Sequence, residues 1–126
     1  MTLTVPVKAV VYEGSTPVLM ARIVGVDNVV TVAADLNNVD YRVDLAGVQV
    51  ITTTAITPIA TYVTALVTTD AAWDKDATGY NFRYRLAAAD IPLGGSVYYV
   101  QFRFKDTSNR PSYLTFDLTT TEQYFD

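Results

Sequence analysis

Alternation of apolar and polar residues predicts that most of this chain forms β-strands. The alternation is clearest in residues 80–86 and 98–105, where large apolar side chains occupy every second position. A period of two places the apolar set on one face of a pleated strand and the polar set on the other. Residues 88–95 lie between these segments and are rich in strand-breaking residues. We therefore predict that residues 79–105 form an antiparallel hairpin with one buried and one solvent-exposed face.

The buried face of this predicted hairpin is expected to anchor the core. Its large side chains are Tyr80, Phe82, Tyr84, Leu86, Tyr98, Val100, Phe102 and Phe104. Burial of each contributes roughly 1.5–3 kcal/mol. The polar face carries Arg83, Arg85, Arg103 and Lys105, and the pairing register would place Arg83 or Arg85 opposite Tyr99. These cations either keep the sheet soluble or dock an acidic partner surface.

The rest of the chain contains further extended segments separated by turn signals. They lie at residues 5–12, 18–26, 29–32, 39–45, 48–55, 59–69 and 114–118. Residues 33–38 and 88–91 are each expected to form one helical turn where the chain crosses between sheets. Seven to nine strands with a turn about every ten residues predict an all-β, antiparallel two-sheet sandwich, with a small closed barrel as the alternative. A length of 126 residues fits a single domain, residues 1–126.

Both ends of the chain have features of their own. Pro6 near the start of the first strand indicates an edge position, because proline cannot donate to the ladder. Residues 5–12 are apolar on both faces, and an exposed strand of that kind invites pairing. We therefore expect residues 1–13 to form an edge or exchange strand that a neighbouring subunit covers. Residues 119–126 are polar and are expected to form a flexible tail.

Composition and charge exclude several functional classes. Hydrophobic residues make up 50% of the chain and charged residues 17%, so the chain is not of the disordered class. The net charge of −4 argues against a nucleic-acid partner, which requires a strong basic excess. No apolar run approaches the length of a membrane span, and residues 1–8 do not resemble a secretory signal. We therefore expect synthesis in the cytoplasm and no membrane partner.

Candidate chemical sites are few. The chain has no cysteine and no histidine, which removes thiol chemistry and the commonest general base and metal ligand. Residues 74–79 match the first six positions of a calcium loop, but position twelve is Arg85 rather than a bidentate Glu. A capped turn with Gly79 at positive φ is the preferred interpretation. The acid pairs Asp35/Asp40 and Asp74/Asp76 lack flanking pocket-forming loops. We therefore predict no catalytic residue, no metal, no cofactor and no enzymatic activity.

Two stretches of the chain carry recognisable motifs. The first runs from Val30 to Val43, with Ala-Asp-Leu and Val-x-Tyr-x-Val elements, and the second is Trp73-x-x-Asp76-x-x-Gly79-Tyr80-Asn81-Phe82 followed by Gly95-x-Val97-Tyr98-x-Val100-x-Phe102. Both resemble small immunoglobulin-like β-sandwich proteins of tailed-bacteriophage virions, including the N-terminal domain of the baseplate upper protein. The resemblance covers residues 17–119, and this chain has an extra N-terminal strand. It implies a structural protein of the tail, baseplate, neck or head decoration. Such a protein is made in the host cytoplasm and assembles as a homo-oligomer with other virion proteins.

The residues expected to form the interface combine the first strand with the polar face of the predicted hairpin. They are Val7, Val10, Tyr12, Arg83, Arg85, Tyr99, Arg103 and Lys105. The alternative function is a module that binds carbohydrate or a cell surface. In that case exposed tyrosines would stack on sugars, and the candidates are Tyr12, Tyr62, Tyr99 and Tyr113.

Overall fold

Eight strands form two sheets in the computed structural model of the chain. The structure describes residues 7–12, 15–25, 29–45, 48–71, 73 and 77–121, with the backbone alone for residues 7–12, 48–50 and 52. The strands are β1 (Val7–Tyr12), β2 (Val18–Ala21), β3 (Leu36–Leu45), β4 (Val48–Ala55), β5 (Val63–Val67), β6 (Tyr80–Arg85), β7 (Val97–Asp106) and β8 (Pro111–Thr121). One short helix, α1 (Ile59–Tyr62), and two 3-10 turns, Ala33–Asp35 and Ala88–Asp90, connect them.

The strand order confirms the predicted all-β two-sheet sandwich. One sheet has the order β1-β8-β7-β3-β4 and the other the order β2-β6-β5. Neighbouring strands are antiparallel except for β1, which pairs with β8 in parallel. With β2 to β8 taken as strands B, C, C′, D, E, F and G, these orders are G-F-C-C′ and B-E-D, those of the immunoglobulin fold. The edge position expected for the first strand is also observed.

A buried tyrosine supports the same topological assignment. Tyr98, at the start of β7, is fully buried, and its hydroxyl oxygen accepts a hydrogen bond of 3.0 Å from the backbone N–H of Leu93. Immunoglobulin domains carry a tyrosine at the start of strand F whose hydroxyl bonds to the backbone a few residues upstream. Tyr98 occupies that place and fixes the chain where it enters β7.

The predicted hairpin of residues 79–105 is wrong. β6 belongs to the three-stranded sheet and β7 to the five-stranded sheet, so the two strands do not pair. Residues 86–96 between them are longer than the two to five residues that usually join a hairpin. The 3-10 turn Ala88–Asp90 lies within this connection and takes the chain from one sheet to the other.

The side chains assigned to the buried face nevertheless meet in one interior. Phe82 of β6 lies against two rings of β7, with centroid distances of 4.9 Å to Phe102 and 5.2 Å to Phe104. Phe102 also contacts Phe116 of β8 at 5.8 Å. These rings are 2% exposed or less and meet edge to face, which is a favoured geometry for aromatic pairs. The two sheets are therefore joined by aromatic packing across the sandwich rather than by strand pairing.

Both predicted helical turns are present, and each is capped by its own aspartate. The carboxylate of Asp35 accepts a bond of 3.0 Å from the N–H of Val32, and that of Asp90 accepts one of 3.3 Å from Ala87. Each turn lies on a crossing between the sheets, as does α1. The repeated Ala-Ala-Asp sequence therefore marks points where the chain changes sheet.

The predicted strand at residues 59–69 begins four residues too early. Its first four residues form α1, which follows Pro58, and the strand itself is Val63–Val67. One helical turn brings Ile59 and Tyr62 to the same side, three residues apart, and both pack against the core. A period of two in hydrophobicity along the sequence did not distinguish this helical turn from the strand that follows it.

Residues 119–121, which were expected to belong to a flexible tail, form the end of β8. β8 continues to Thr121, and Thr120 is buried. The hydroxyl of Thr120 donates to the carbonyl of Leu93 at 2.5 Å and accepts from the N–H of Ser96 at 3.1 Å. These bonds fix the end of β8 to the connection between β6 and β7. Residues 122–126 lie outside the described residues.

The turn before β6 is described by the structure at residues 77–79, and there the predicted positive φ of Gly79 is confirmed. Gly79 has a φ of +91°, and a Cβ at this position would lie 2.2 Å from the carbonyl oxygen of Val67. Glycine is therefore required here both by conformation and by space. The candidate calcium ligands Asp74 and Asp76 lie outside the described residues. Trp73 is half-buried, and its ring lies 5.6 Å from that of Tyr80.

Asn81 occupies a polar position in the alternation of residues 80–86 but is completely buried. Its Oδ1 accepts from the N–H of Ile23 at 2.7 Å, and its Nδ2 donates to the carbonyls of Ile23 at 3.0 Å and Thr31 at 2.7 Å. These backbone groups belong to the irregular segment between β2 and β3. The two arms of this segment also bond each other, from the N–H of Thr31 to the carbonyl of Ile23 at 3.0 Å, and the side chain of Asn81 ties both arms to β6.

We expect Asn81→Leu to reduce the free energy of unfolding by about 2–4 kcal/mol, because the buried N–H of Ile23 and carbonyl of Thr31 would lose the bonds from Asn81, whereas the carbonyl of Ile23 keeps the N–H of Thr31. Urea denaturation followed by circular dichroism measures this loss. Gln101→Leu is the matched control, since it removes an amide from a half-exposed position and should change stability by about 0.5 kcal/mol or less. Equal losses in the two variants would contradict this role of Asn81.

Candidate interaction surface

The solvent-facing side of the five-stranded sheet, here called the outer sheet face, carries most of the candidate contact residues. Its side chains are Asp40, Arg42 and Asp44 of β3, Tyr99, Gln101, Arg103 and Lys105 of β7, and Tyr113, Thr115 and Asp117 of β8. Apart from Asp40, which is itself 6% exposed, they alternate with the buried residues of the same strands. The strand register aligns them in rows, so each side chain has a neighbour on the next strand.

Three rows define the chemistry of the outer sheet face. The rows are Asp44–Tyr99–Asp117, Arg42–Gln101–Thr115 and Asp40–Arg103–Tyr113. The two aromatic rings are well exposed, at 40% for Tyr99 and 44% for Tyr113. Exposed tyrosine beside charged and amide groups is typical of protein interfaces, where it supplies contact area at low entropic cost.

Two ion pairs hold four of the six charged side chains of this face in place. The guanidinium of Arg103 donates from Nε and Nη2 to the two carboxylate oxygens of Asp40, at 2.9 and 2.5 Å. The bonded carboxylate raises the pKa of Arg103 above its ordinary value. Arg42 donates in the same forked manner to Asp44, with both distances 2.9 Å. Forked pairs fix the planes of both groups and so preorganise the surface.

A shallow depression lies between these pairs. It has a volume of about 230 Å³ and is lined by Asp40, Tyr41, Arg42, Thr53, Gln101, Arg103 and Tyr113. Pockets for drug-sized ligands usually have volumes of about 300–1,000 Å³. The smaller depression suits one protruding side chain of a protein partner, or one sugar ring stacked on Tyr113.

Arg83 and Arg85 do not lie on this face. Both are exposed on β6, on the outer side of the three-stranded sheet, where they pair in register with Met20 and Val18 of β2. The expected position opposite Tyr99 is therefore wrong, because Tyr99 pairs with Asp44 and Asp117 in the other sheet. We call the surface formed by Arg83, Arg85, Met20 and Val18 the arginine face.

The three candidate residues of the first strand lie at the edge of the five-stranded sheet. In the register with β8, Val7 is opposite Phe116, Val10 is opposite Thr119 and Tyr12 is opposite Thr121. Contact of this strand with a neighbouring subunit stays a prediction.

A larger cleft opens at one end of the sandwich. Its volume is about 500 Å³, and it lies between the segment before β3 and the turn that joins β7 to β8. Two carboxylates line it, those of Asp35 and Asp106. Asp35 caps its own 3-10 turn, and Asp106 accepts from the N–H groups of Ser108 and Arg110, both at 2.9 Å. Both carboxylates therefore serve local turns, and the pair Asp35/Asp40 is divided between this cleft and the outer sheet face.

Two tyrosine hydroxyls with altered pKa values belong to the fold rather than to either surface. Burial, followed by contacts with Tyr84 and Asp90, raises the pKa of Tyr41 well above its ordinary value. The hydrogen bond to Asp70, at 2.7 Å, raises the pKa of Tyr80. Of the tyrosines proposed to stack on sugars, Tyr62 packs against Tyr84 at 5.2 Å, whereas Tyr99 and Tyr113 are exposed.

Neither a metal site nor a membrane-spanning helix is found among the residues that the structure describes. Within the described part of the chain, no group of three or more acidic, histidine or cysteine side chains is placed to hold a metal ion. None of the helices described there is long and apolar enough to cross a membrane. Comparison with known protein families, curated proteins and solved structures gave no match.

The candidate interface residues predicted from sequence omitted much of the outer sheet face. Asp40, Arg42, Asp44 and Gln101 occupy polar positions of alternating strands, and that alternation was the available signal. Alternation shows that a residue faces solvent but not which strand lies beside it. The grouping of these residues with Tyr113 therefore required the strand order.

We expect the carboxyl group of Asp106 to titrate below the ordinary aspartate pKa of about 3.9, because the backbone N–H of Arg110, followed by that of Ser108, favours the charged form. Since the folded pKa is lowered, the stabilisation is present above the ordinary pKa and is lost as pH falls through the folded value. Carboxyl NMR titration measures the midpoint. Arg110→Gln should retain most of the shift because its backbone N–H remains, and a wild-type midpoint at or above 3.9 would contradict the assignment.

Proposed function

We propose that this chain is a structural subunit of a bacteriophage virion, in the tail, baseplate, neck or head decoration, that acts by protein–protein assembly. The observation that carries the proposal is the outer sheet face, where exposed Tyr99 and Tyr113 lie among preorganised ion pairs. Aromatic residues and arginine are enriched at protein interfaces. The immunoglobulin-type strand order agrees with the sandwich fold that the sequence resemblance implies.

The virion setting comes from the sequence resemblance, and the fold is compatible with it. A small sandwich that repeats around a symmetric particle needs surfaces that contact neighbours on more than one side. This chain offers the outer sheet face, the arginine face and the edge strand β1 as separate candidates. We propose other virion proteins and further copies of the same chain as partners.

A carbohydrate-binding module is the second candidate, and the depression beside Tyr113 favours it. Arg42, Gln101 and the pair Asp40–Arg103 present planar polar groups next to an exposed ring. Such groups can bond sugar hydroxyls while the ring stacks on a sugar face. Under this alternative the chain would bind glycans as a monomer.

We expect the purified wild-type chain to form an oligomer and Tyr99→Ala to weaken its association by tenfold or more, since truncation of a central aromatic contact typically costs about 2 kcal/mol. Light scattering over a range of concentrations measures the association. Leu93→Ala is the matched control, because Leu93 is 53% exposed but lies outside the outer sheet face.

The same measurement separates the two candidate functions. A monomeric protein that is absent from virions and binds glycans, with binding lost in Tyr113→Ala, would reject assembly in favour of carbohydrate recognition. An oligomer, or incorporation into the parent particle observed by electron microscopy, supports the virion role.

We also expect deletion of residues 1–13 to weaken assembly, because removal of β1 leaves the edge of β8 without a strand partner and removes the proposed contact with a neighbour. Light scattering gives the oligomeric state, and thermal unfolding shows whether the truncated chain is folded. A folded, truncated chain that assembles like the wild type would reject a role for this strand.

A further inference from the structure

The five residues that follow β8 have a composition that complements the arginine face. Residues 122–126 are Glu-Gln-Tyr-Phe-Asp, which supply two carboxylates, two aromatic rings and no cation. Arg83 and Arg85 are exposed on β6, and β2, β5 and β6 contain no acidic residue. Within the described part of the chain, neither arginine forms an ion pair. The segment beyond β8 therefore carries the charge that this face lacks.

The end of β8 lies at the same end of the sandwich as Arg85. The hydroxyl of Thr120 donates to the carbonyl of Leu93 and accepts from the N–H of Ser96. Leu93 and Ser96 belong to the connection between β6 and β7, which starts directly after Arg85. The chain therefore leaves β8 beside the connection that begins at the arginine face.

The crossing from β1 to β2 shows how much chain is needed to reach Arg85 from this point. Tyr12 of β1 is opposite Thr121, the last residue of β8. Val18 of β2 is opposite Arg85. Five residues separate Tyr12 from Val18, so five residues span the distance from the end of β8 in one sheet to Arg85 in the other. The segment beyond β8 has the same length, which is at most about 17 Å when extended, against about 10 Å between stacked sheets.

The guanidinium of Arg85 is held at this end of the sandwich. Its Nη1 donates to the carbonyl of Thr16 at 3.3 Å, and Thr16 belongs to the crossing from β1 to β2. Val18, directly beside Arg85 in the strand register, is partly exposed and offers an apolar contact. Arg83 lies two residues back along β6, about 7 Å further from this end. A segment that follows the path of the crossing therefore meets Arg85 before Arg83.

We propose that residues 122–126 fold across this end of the sandwich and bind the Arg85 end of the arginine face of the same chain. The carboxylate of Asp126 bonds the guanidinium of Arg85, since arginine forms forked, charge-assisted bonds with carboxylates. The ring of Phe125 packs on Val18 and on the apolar stem of the arginine.

This contact makes the arginine face a regulated surface. It covers Arg85 and leaves Arg83 exposed, so a partner with an acidic surface must displace the segment to use the whole face. The inference concerns the free chain and does not depend on the proposed assembly function.

Disulfide trapping in the full chain locates the segment, because the chain contains no native cysteine. Phe125→Cys is combined with Val18→Cys in the test variant and with Val97→Cys in the control. Val97 is 39% exposed and pairs with Thr119 near the end of β8, on the outer side of the other sheet. A segment without a preferred position would react at position 97 at least as fast as at position 18, since position 97 is nearer to the end of β8.

We expect the test variant to form its intramolecular disulfide about fivefold faster than the control, a ratio typical of one exposed ion pair. Arg85→Gln, or roughly 1 M salt with its screening length of about 3 Å, should remove most of this difference. Arg83→Gln removes the same charge from the same strand and should retain the difference. Non-reducing electrophoresis and intact mass spectrometry measure the rates.

A second measurement uses the wild-type chain without cysteines. The heteronuclear NOE of the backbone amides of residues 124–126 should approach that of β8. Arg85→Gln should lower it, and Arg83→Gln should leave it unchanged.

Three results would overturn the inference. The control may not react as fast as the test variant, and the wild-type NOE of residues 124–126 may not lie near or below zero. Disulfide-linked dimers in place of the intramolecular product would put the segment on a second copy and reject the contact within one chain. Each of these results leaves incorporation into virions to be decided by its own experiment.

Discussion

The contact of Phe82 with Phe102 and Phe104 is the interaction on which the rest of the structure depends. It joins the central strand of the three-stranded sheet to β7 of the larger sheet, which itself pairs with both β3 and β8. Because these rings fill the interior, the polar residues of β6 and β7 must face opposite sides of the sandwich. This packing therefore places the polar residues of β6 and those of β7 on two separate surfaces of the protein.

Buried polar side chains add hydrogen bonds to the aromatic packing inside the sandwich. Asn81 bonds the irregular segment between β2 and β3, and Thr120 bonds the connection that enters β7. Tyr98 fixes the same connection through Leu93. These bonds satisfy buried backbone groups in the segments that cross between the sheets. The surfaces proposed for assembly are thus supported by a rigid interior.

The two outer surfaces differ in chemistry. On the outer sheet face, four of the six charged side chains form two ion pairs and two tyrosines are exposed, whereas the arginine face lies on strands without acidic residues. The sandwich therefore presents different chemistry on its two sides.

The sequence alone determined which positions are buried and which face solvent along most strands, because a period of two in hydrophobicity depends only on local geometry. It also determined both Ala-Ala-Asp turns, where each cap lies within three residues of its partner. Whether β6 and β7 pair or lie in opposite sheets was decided only by the tertiary structure. The apolar pattern satisfies both arrangements equally, and the choice depends on long-range packing of Phe82 against Phe102 and on the connection fixed by Tyr98. For the same reason the separation of Arg83 and Arg85 from Tyr99 could not be read from the sequence.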